Sequence, residues 1–169
     1  MEYQTLQHEF PPVWDGESEI LILGSFPSVK SREQGFFYGH PRNRFWKVIA
    51  AVTGQDEPVT VEEKKKLLLA QNIAIWDVIA SCQIKGSSDS SIREVVANDI
   101  TEMLEKSKIK RIFANGKTAE RLYNKYIYPQ SKVPIMVLPS TSPANAAWSL
   151  ERLTEEYRKK ITVSNGKEA

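Results

Sequence analysis

Cysteine is nearly absent from this chain. Its single thiol, Cys82, excludes an internal disulfide and any multi-cysteine zinc or iron–sulfur centre. Histidine is almost as scarce. His8 and His40 stand far apart in sequence, so neither a histidine-rich metal site nor any other cofactor is expected. No apolar stretch approaches the length of a membrane span, and a membrane partner is not expected either. The amino terminus carries Glu2 and Glu9 without an apolar run, unlike a secretory signal, which predicts a cytoplasmic protein. An excess of charge is lacking too. A net charge of +2 permits a local basic patch for nucleic acid without demanding one.

What the chain does have is a length of 169 residues, most simply one domain over 1–162 with a flexible tail at 163–169. A monomer is expected. Its most informative stretch runs from Ile20 to Trp46. Ile20-Leu21-Ile22-Leu23 reads as a strand buried on both faces, stopped by Gly24 and followed by a loop shaped by Pro27 and Ser28. Gly35-Phe36-Phe37-Tyr38-Gly39 puts three aromatics side by side between glycines, and no regular element buries three consecutive side chains equally. Pro41 then opens a helix with Asn43 and Arg44 in its first turn, Phe45, Ile49 and Val52 on one face, and Gly54 as its stop.

The rest alternates between the two kinds of element. Residues 1–18 form a turn-rich lead-in, with Trp14 as an anchor against the body. Thr60 and Glu63 make a capping box that starts a helix through Lys64-Lys65-Lys66, whose simplest reading is a solvated face. Ile73 to Ile79 is the second strand. It is followed by a polar loop over Ser81–Ser90 and, from the capping pattern of Ser91 with Glu94, by a helix carrying Ile92, Val95, Val96, Ile100, Met103 and Leu104. Ile109–Ala114 is a third strand and Val133–Leu138 a fourth, with helices over Thr118–Tyr126 and Asn145–Lys160. Such alternation predicts a three-layer α/β/α sandwich around a mostly parallel four-stranded sheet. Its post-strand segments GSFPS, SCQIKGSSDS, NGK and PSTSPAN then converge on one cleft, where open α/β sheets bind ligands. An Asp at 77, where a buried strand ends, needs a partner or a job. Gly116-Lys117-Thr118 resembles the end of a P-loop, but Arg111 stands where that pattern needs glycine. A serine or Cys82 nucleophile lacks a histidine nearby in sequence.

GSFPS with GFFYGHPRNRFWKVI resembles the first motif and following helix of the uracil-DNA glycosylase superfamily, and Leu138-Pro-Ser-Thr-Ser-Pro-Ala-Asn145 resembles its second motif. The similarity covers roughly residues 18 to 160 and is closest to the hypoxanthine-DNA (deoxyinosine) glycosylase branch. It implies a monofunctional enzyme of base excision repair. Such an enzyme hydrolyses the N-glycosidic bond of a deaminated base, hypoxanthine first, in double- or single-stranded DNA, at the nucleoid in a bacterial or archaeal cell. A G:U/G:T mismatch-specific uracil enzyme, a catalytically weak damaged-base-binding protein and a nucleoside hydrolase stay open.

The resemblance also implies roles. Gly24, Ser25, Phe26, Tyr38, Asp77 and Asn115 would form the base site, with Tyr38 as the stacking platform. Ser28, Lys117, Ser140, Ser142, Pro143, Ala144 and Asn145 would meet DNA, the last three filling the gap left by a flipped base. For Asn115 and Lys117 a plain strand-end turn is an equal reading. Two departures matter. Phe26 occupies the position where related enzymes carry a polar residue that holds water, and Ser140-Thr141-Ser142 offers no histidine electrophile. Asn43 is the nearest polar replacement and the candidate catalytic residue, its amide orienting a water; simple capping of the helix start is the competing role.

Overall fold

The computed structural model describes residues 2–86 and 88–161, so the expected tail at 163–169 lies outside the described residues. In chain order the elements are β1 (Gln4–Gln7), β2 (Ile20–Gly24), α1 (Val29–Gln34), α2 (Phe45–Thr53), α3 (Val61–Ala70), β3 (Ile73–Asp77) and β4 (Ile79–Ile84). There follow β5 (Arg93–Ala97), α4 (Thr101–Lys106), β6 (Arg111–Asn115), α5 (Lys117–Tyr126), α6 (Tyr128–Ser131), β7 (Ile135–Leu138) and α7 (Leu150–Lys160). The order β3-β2-β6-β7 makes a wholly parallel four-stranded sheet.

Each residue of β2 is buried, because the strand is central and both sheet faces are covered. Ile20 and Ile22 point into one core with Phe45, Trp46 and Ile49 of α2, Leu68 of α3, and Leu153 and Tyr157 of α7. Leu21 and Leu23 point the other way, into a core with Met103 of α4 and Leu122 and Tyr123 of α5. Burying each such aliphatic side chain stabilises the fold by about 1.5–3 kcal/mol. The layers are therefore those of an α/β/α sandwich, and the carboxyl ends of all four strands share one edge.

Several elements differ from expectation. The second strand stops at Asp77, and the chain continues beyond Val78 as β4, which leaves the parallel sheet for a separate antiparallel one of order β1-β4-β5. The supposed lead-in supplies β1, paired from Gln4 opposite Ile84 to Gln7 opposite Ser81. Val13 adds an antiparallel bridge to Ile75 on the outer side of β3. The first four residues of the expected polar loop, Ser81 to Ile84, are thus strand, and the helix expected from Ser91 is β5, with α4 only six residues long. Arg93-Glu94-Val95-Val96 fits a pleat as well as a helix, and its β-branched residues favour the pleat. Ser91 does not cap a helix. Its hydroxyl donates to Ser88 O and accepts from Lys85 N, closing the β4–β5 connection.

The Pro41 segment is a turn, and α2 starts only at Phe45, so Asn43 precedes the helix. Likewise α7 begins at Leu150 rather than 145, because Ser149 is the residue whose hydroxyl caps it, accepting from Arg152 N. Between the first motif and the aromatics lies the unexpected α1, capped by Ser28 and ended by Gly35 in the left-handed region at φ 72°. The Thr60–Glu63 capping box is present, and its backbone hydrogen bonds hold the Glu63 carboxyl below its usual range.

Candidate active site

The strand ends open into a cleft of about 550 Å³. Gly24, Ser25, Phe26 and Ser28 line it from the β2 end, Tyr38 and Asn43 from the aromatic loop, Asp77 and Asn115 from β3 and β6, and Ser140–Ala144 from the segment after β7. Of the fourteen residues singled out by sequence, twelve line this cleft; Lys117 and Asn145 do not. Lys117 is exposed at the start of α5. Asn145 is a strut, donating from Nδ2 to Ser140 O at 2.9 Å.

At the floor, Gly24 is required by its neighbours. A Cβ there would overlap Asp77 Oδ1 and come within 3.1 Å of the Tyr38 hydroxyl. The Tyr38 ring lines the cleft and lies flat on Phe45, with centroids 4.0 Å apart and planes 21° apart, so a base can stack only on its other face. Its backbone sits at φ 55°, a costly conformation for a non-glycine residue, which the packed loop imposes. The Tyr38 hydroxyl is buried beside the Asn115 amide, and among the described residues it makes no hydrogen bond of normal geometry. Burial first, and the Asp77 charge second, push its ionisation far above the usual phenol range, so it remains a neutral O–H. Phe36 and Phe37 are core, as their neighbours Phe10 and Trp46 require.

Asn43 serves two elements at once. Its Oδ1 accepts from Phe45 N at 2.9 Å, which is the capping reading, and also from the Thr141 hydroxyl at 2.8 Å. Both lone pairs of that oxygen are thereby committed. Among the described residues Nδ2 has no partner, leaving an N–H pair for the cleft. Thr141, fully buried, receives Asn115 Nδ2 on its hydroxyl at 3.0 Å and donates its backbone N–H to Asn115 Oδ1 at 3.0 Å. Asn115 therefore lines the cleft while holding the second-motif loop with both amide atoms, and only one of its two Nδ2 hydrogens is used by the Thr141 bond.

Within the second motif, Ser140 Oγ accepts from Ser142 N and Ser142 Oγ accepts from Ala144 N, each at 3.1 Å. These bonds shape the turn that presents Pro143 and Ala144, and among the described residues neither hydroxyl donates its hydrogen. Ser28, as the cap of α1, accepts from Ser31 N at 3.2 Å.

Two residues that sequence reasoning passed over complete the site. Arg44 binds the loop carrying the second motif through three carbonyls: Nη2 to Ser142 O at 3.0 Å and to Asn145 O at 3.1 Å, and Nη1 to Trp148 O. His8, just after β1, places Nε2 2.7 Å from Asp77 Oδ2, both side chains being buried. Asp77's need for a partner was the one sequence signal pointing to His8; nothing local pointed to Arg44's role. Among the described residues no group of three metal-ligating side chains comes together, and no helix is long and apolar enough to cross a membrane.

Comparison with known proteins places residues 11–162 within the model of the uracil DNA glycosylase superfamily. A protein named hypoxanthine DNA glycosylase from Methanosarcina acetivorans is 36% identical over 155 residues, covering 89% of this chain and 95% of its own. One of the same name from Methanosarcina barkeri is 33% identical over 110 residues, covering 64% and 70%. A solution NMR structure from Methanosarcina acetivorans, described provisionally as a uracil DNA glycosylase, superposes with a TM-score of 0.74 at 34% identity, covering 89% of this chain and 95% of that one.

Proposed function

The chain belongs to the uracil-DNA glycosylase superfamily, and on that premise we propose that it is a monofunctional glycosylase that releases hypoxanthine from deoxyinosine in DNA. The observation that carries this reading is the placement of Asn43. With Phe26 in the first-motif position, Asn43 brings an uncommitted amide N–H pair to the cleft while its oxygen is held from two sides. The relatives named for hypoxanthine support the choice of base.

The target nucleotide leaves the stack and its base enters the cleft, because the glycosidic bond is not accessible within the duplex. The base lies on the free face of Tyr38, which contributes about 1–3 kcal/mol by stacking. Pro143 and Ala144 fill the vacated step, and the Ser140 and Ser142 hydroxyls donate to sugar or phosphate oxygens. The bond from C1′ to N9 of the base breaks with its electron pair going to the base, and positive charge develops on the sugar. A water held by Asn43 Nδ2–H through one lone pair attacks C1′ with the other, and its proton passes to solvent. No covalent intermediate with the protein forms.

A single-turnover assay on duplexes bearing hypoxanthine, uracil, xanthine or thymine, read as alkali-sensitive strand cleavage, tests the reading. Fastest cleavage at hypoxanthine supports it. Uracil cleaved as fast or faster would move the chain to a mismatch-type uracil enzyme. Binding without cleavage of any of these bases would make it a damaged-base-binding protein.

A further inference from the structure

We propose that His8 is a positioning residue of the active site: it anchors one oxygen of Asp77 so that the other reads the ring N–H that deamination creates. The inference rests on the base-excision reading above and goes on to say how the base is told from its parent.

Asp77 ends β3 at the floor of the cleft with its side chain only 5% exposed. Oδ2 faces His8 Nε2 at 2.7 Å. A carboxylate only accepts, so Nε2 carries the hydrogen and donates, and Nδ1 is buried with no partner among the described residues. That tautomer is the one the surroundings tolerate, because a hydrogen on Nδ1 would be a buried donor with nowhere to go. The imidazole is held in place by Phe10 at 4.5 Å and Phe37 at 5.7 Å, with the Phe26 ring edge-on at 6.2 Å. The backbone of Asp77 is fixed as well, its carbonyl accepting from Asn98 Nδ2 at 2.8 Å. Among the described residues no hydrogen bond reaches Oδ1. Gly24, lacking a Cβ, is what leaves Oδ1 its space.

The cleft therefore holds one immobile, acceptor-only oxygen. Hypoxanthine presents N1–H, a donor that meets this oxygen. Adenine, its parent, presents a bare N1 lone pair, which the same oxygen repels. Uracil and cytosine differ in the same sense at N3. A fixed acceptor at this point thus tells hypoxanthine from adenine and uracil from cytosine, each product from its parent; guanine and thymine present the same ring N–H and are told apart by other contacts. The acceptor works only while the carboxylate cannot turn or move to another donor, and His8 prevents that.

The test uses the full chain, as wild type, His8→Phe and His8→Gln, in single turnover on duplexes carrying hypoxanthine, 1-methylhypoxanthine or adenine at one position. His8→Phe keeps the ring contacts and removes the N–H; His8→Gln keeps an N–H on a side chain of similar reach. Wild type is expected to release hypoxanthine about 10²-fold or more faster than the 1-methyl base, since a site built around a hydrogen bond rejects the analogue lacking it. His8→Phe should slow hypoxanthine release by about tenfold or more, in line with the loss of a bond to a charged group, and narrow its margin over the 1-methyl base. His8→Gln should recover most of both, at equal protein melting temperature. Equal release of the two bases by wild type overturns the proposal, as does His8→Gln performing no better than His8→Phe when both are folded. Absence of hypoxanthine release by wild type is a different failure, since it removes the base-excision reading itself.

Discussion

The Thr141 hydroxyl donates to Asn43 Oδ1 at 2.8 Å, joining residues 98 positions apart in sequence. Through this bond the segment before α2 and the loop after β7 hold each other, and the bond decides which end of the Asn43 amide the cleft receives. Asn43→Ala removes the N–H pair together with both bonds to the oxygen. The single-turnover rate on inosine DNA should fall by about 10²-fold, with a loss of about 0.5–1.5 kcal/mol for each hydrogen bond of the missing oxygen. Asn43→Asp keeps both accepting bonds, so its melting temperature should stay near wild type, and its second oxygen can still hold a water by accepting from it. Its rate should exceed that of Asn43→Ala. Equal rates for the two variants, with the Asp variant fully folded, would eliminate the water-holding role.

Thr141→Val preserves volume while deleting a hydroxyl bonded on both sides. Asn115 Nδ2 loses its acceptor and Asn43 Oδ1 one of its two donors. The expected cost is about 1–3 kcal/mol in urea unfolding, together with a fall in single-turnover rate at saturating enzyme. If stability drops and the rate holds, the Asn43 amide is fixed by its Phe45 bond alone.

Gly24→Ala should disable the protein out of proportion to one methyl group. The new Cβ meets Asp77 Oδ1, an atom that cannot swing away without breaking the His8 bond. Overpacking of this kind costs about 1–3 kcal/mol. Thermal unfolding and the rate on inosine DNA should fall together, whereas Gly54→Ala, with nothing near its missing Cβ but φ at 70°, should lose stability only.

Alkaline pH should destabilise the fold. Burial first, then Asp77, raises the ionisation of Tyr38 far above the phenol range, and burial first, then Tyr38, does the same for Tyr157, whose hydroxyl donates to Pro139 O at 3.0 Å. Their neutral forms are favoured by the folded state, so this stability is complete below the unfolded phenol value near 10 and declines as pH rises through and beyond it. In absorbance titration the native chain should ionise fewer than its six tyrosines before it unfolds, and all six in denaturant. Tyr38→Phe, which deletes a hydroxyl that makes no hydrogen bond of normal geometry among the described residues, should melt no lower than wild type and retain cleavage activity. Release of all six phenolic protons from the folded chain would contradict the burial of these two.

What was legible in the sequence was whatever rests on short-range pattern. Ile20–Leu23 is apolar in succession and lies at the centre of the sheet; Thr60 and Glu63 are three apart and do cap α3. Residues 91–104 misled because Ser91 and Glu94 have capping-box spacing, while Glu94 in fact sits at φ 53° in a strand whose register to β4 shifts. The site was legible as a set of strand ends, hence the good recovery of its lining. Its internal wiring was not. His8 finds Asp77 across 69 residues and Arg44 finds Trp148 across 104, distances at which no periodicity or capping rule operates.

One four-residue strand has an outsized consequence for how the protein behaves when warmed. β1 is four residues long, three of them exposed, and it is the edge of a sheet separate from the parallel one. Such a strand opens locally at a fraction of the free energy of global unfolding, and when it opens it carries His8 away from Asp77. On the proposed role of His8, warming should therefore erode discrimination between inosine and adenine before it erodes the fold, so that a sample held warm looks native by circular dichroism while judging its substrate less well, and recovers on cooling.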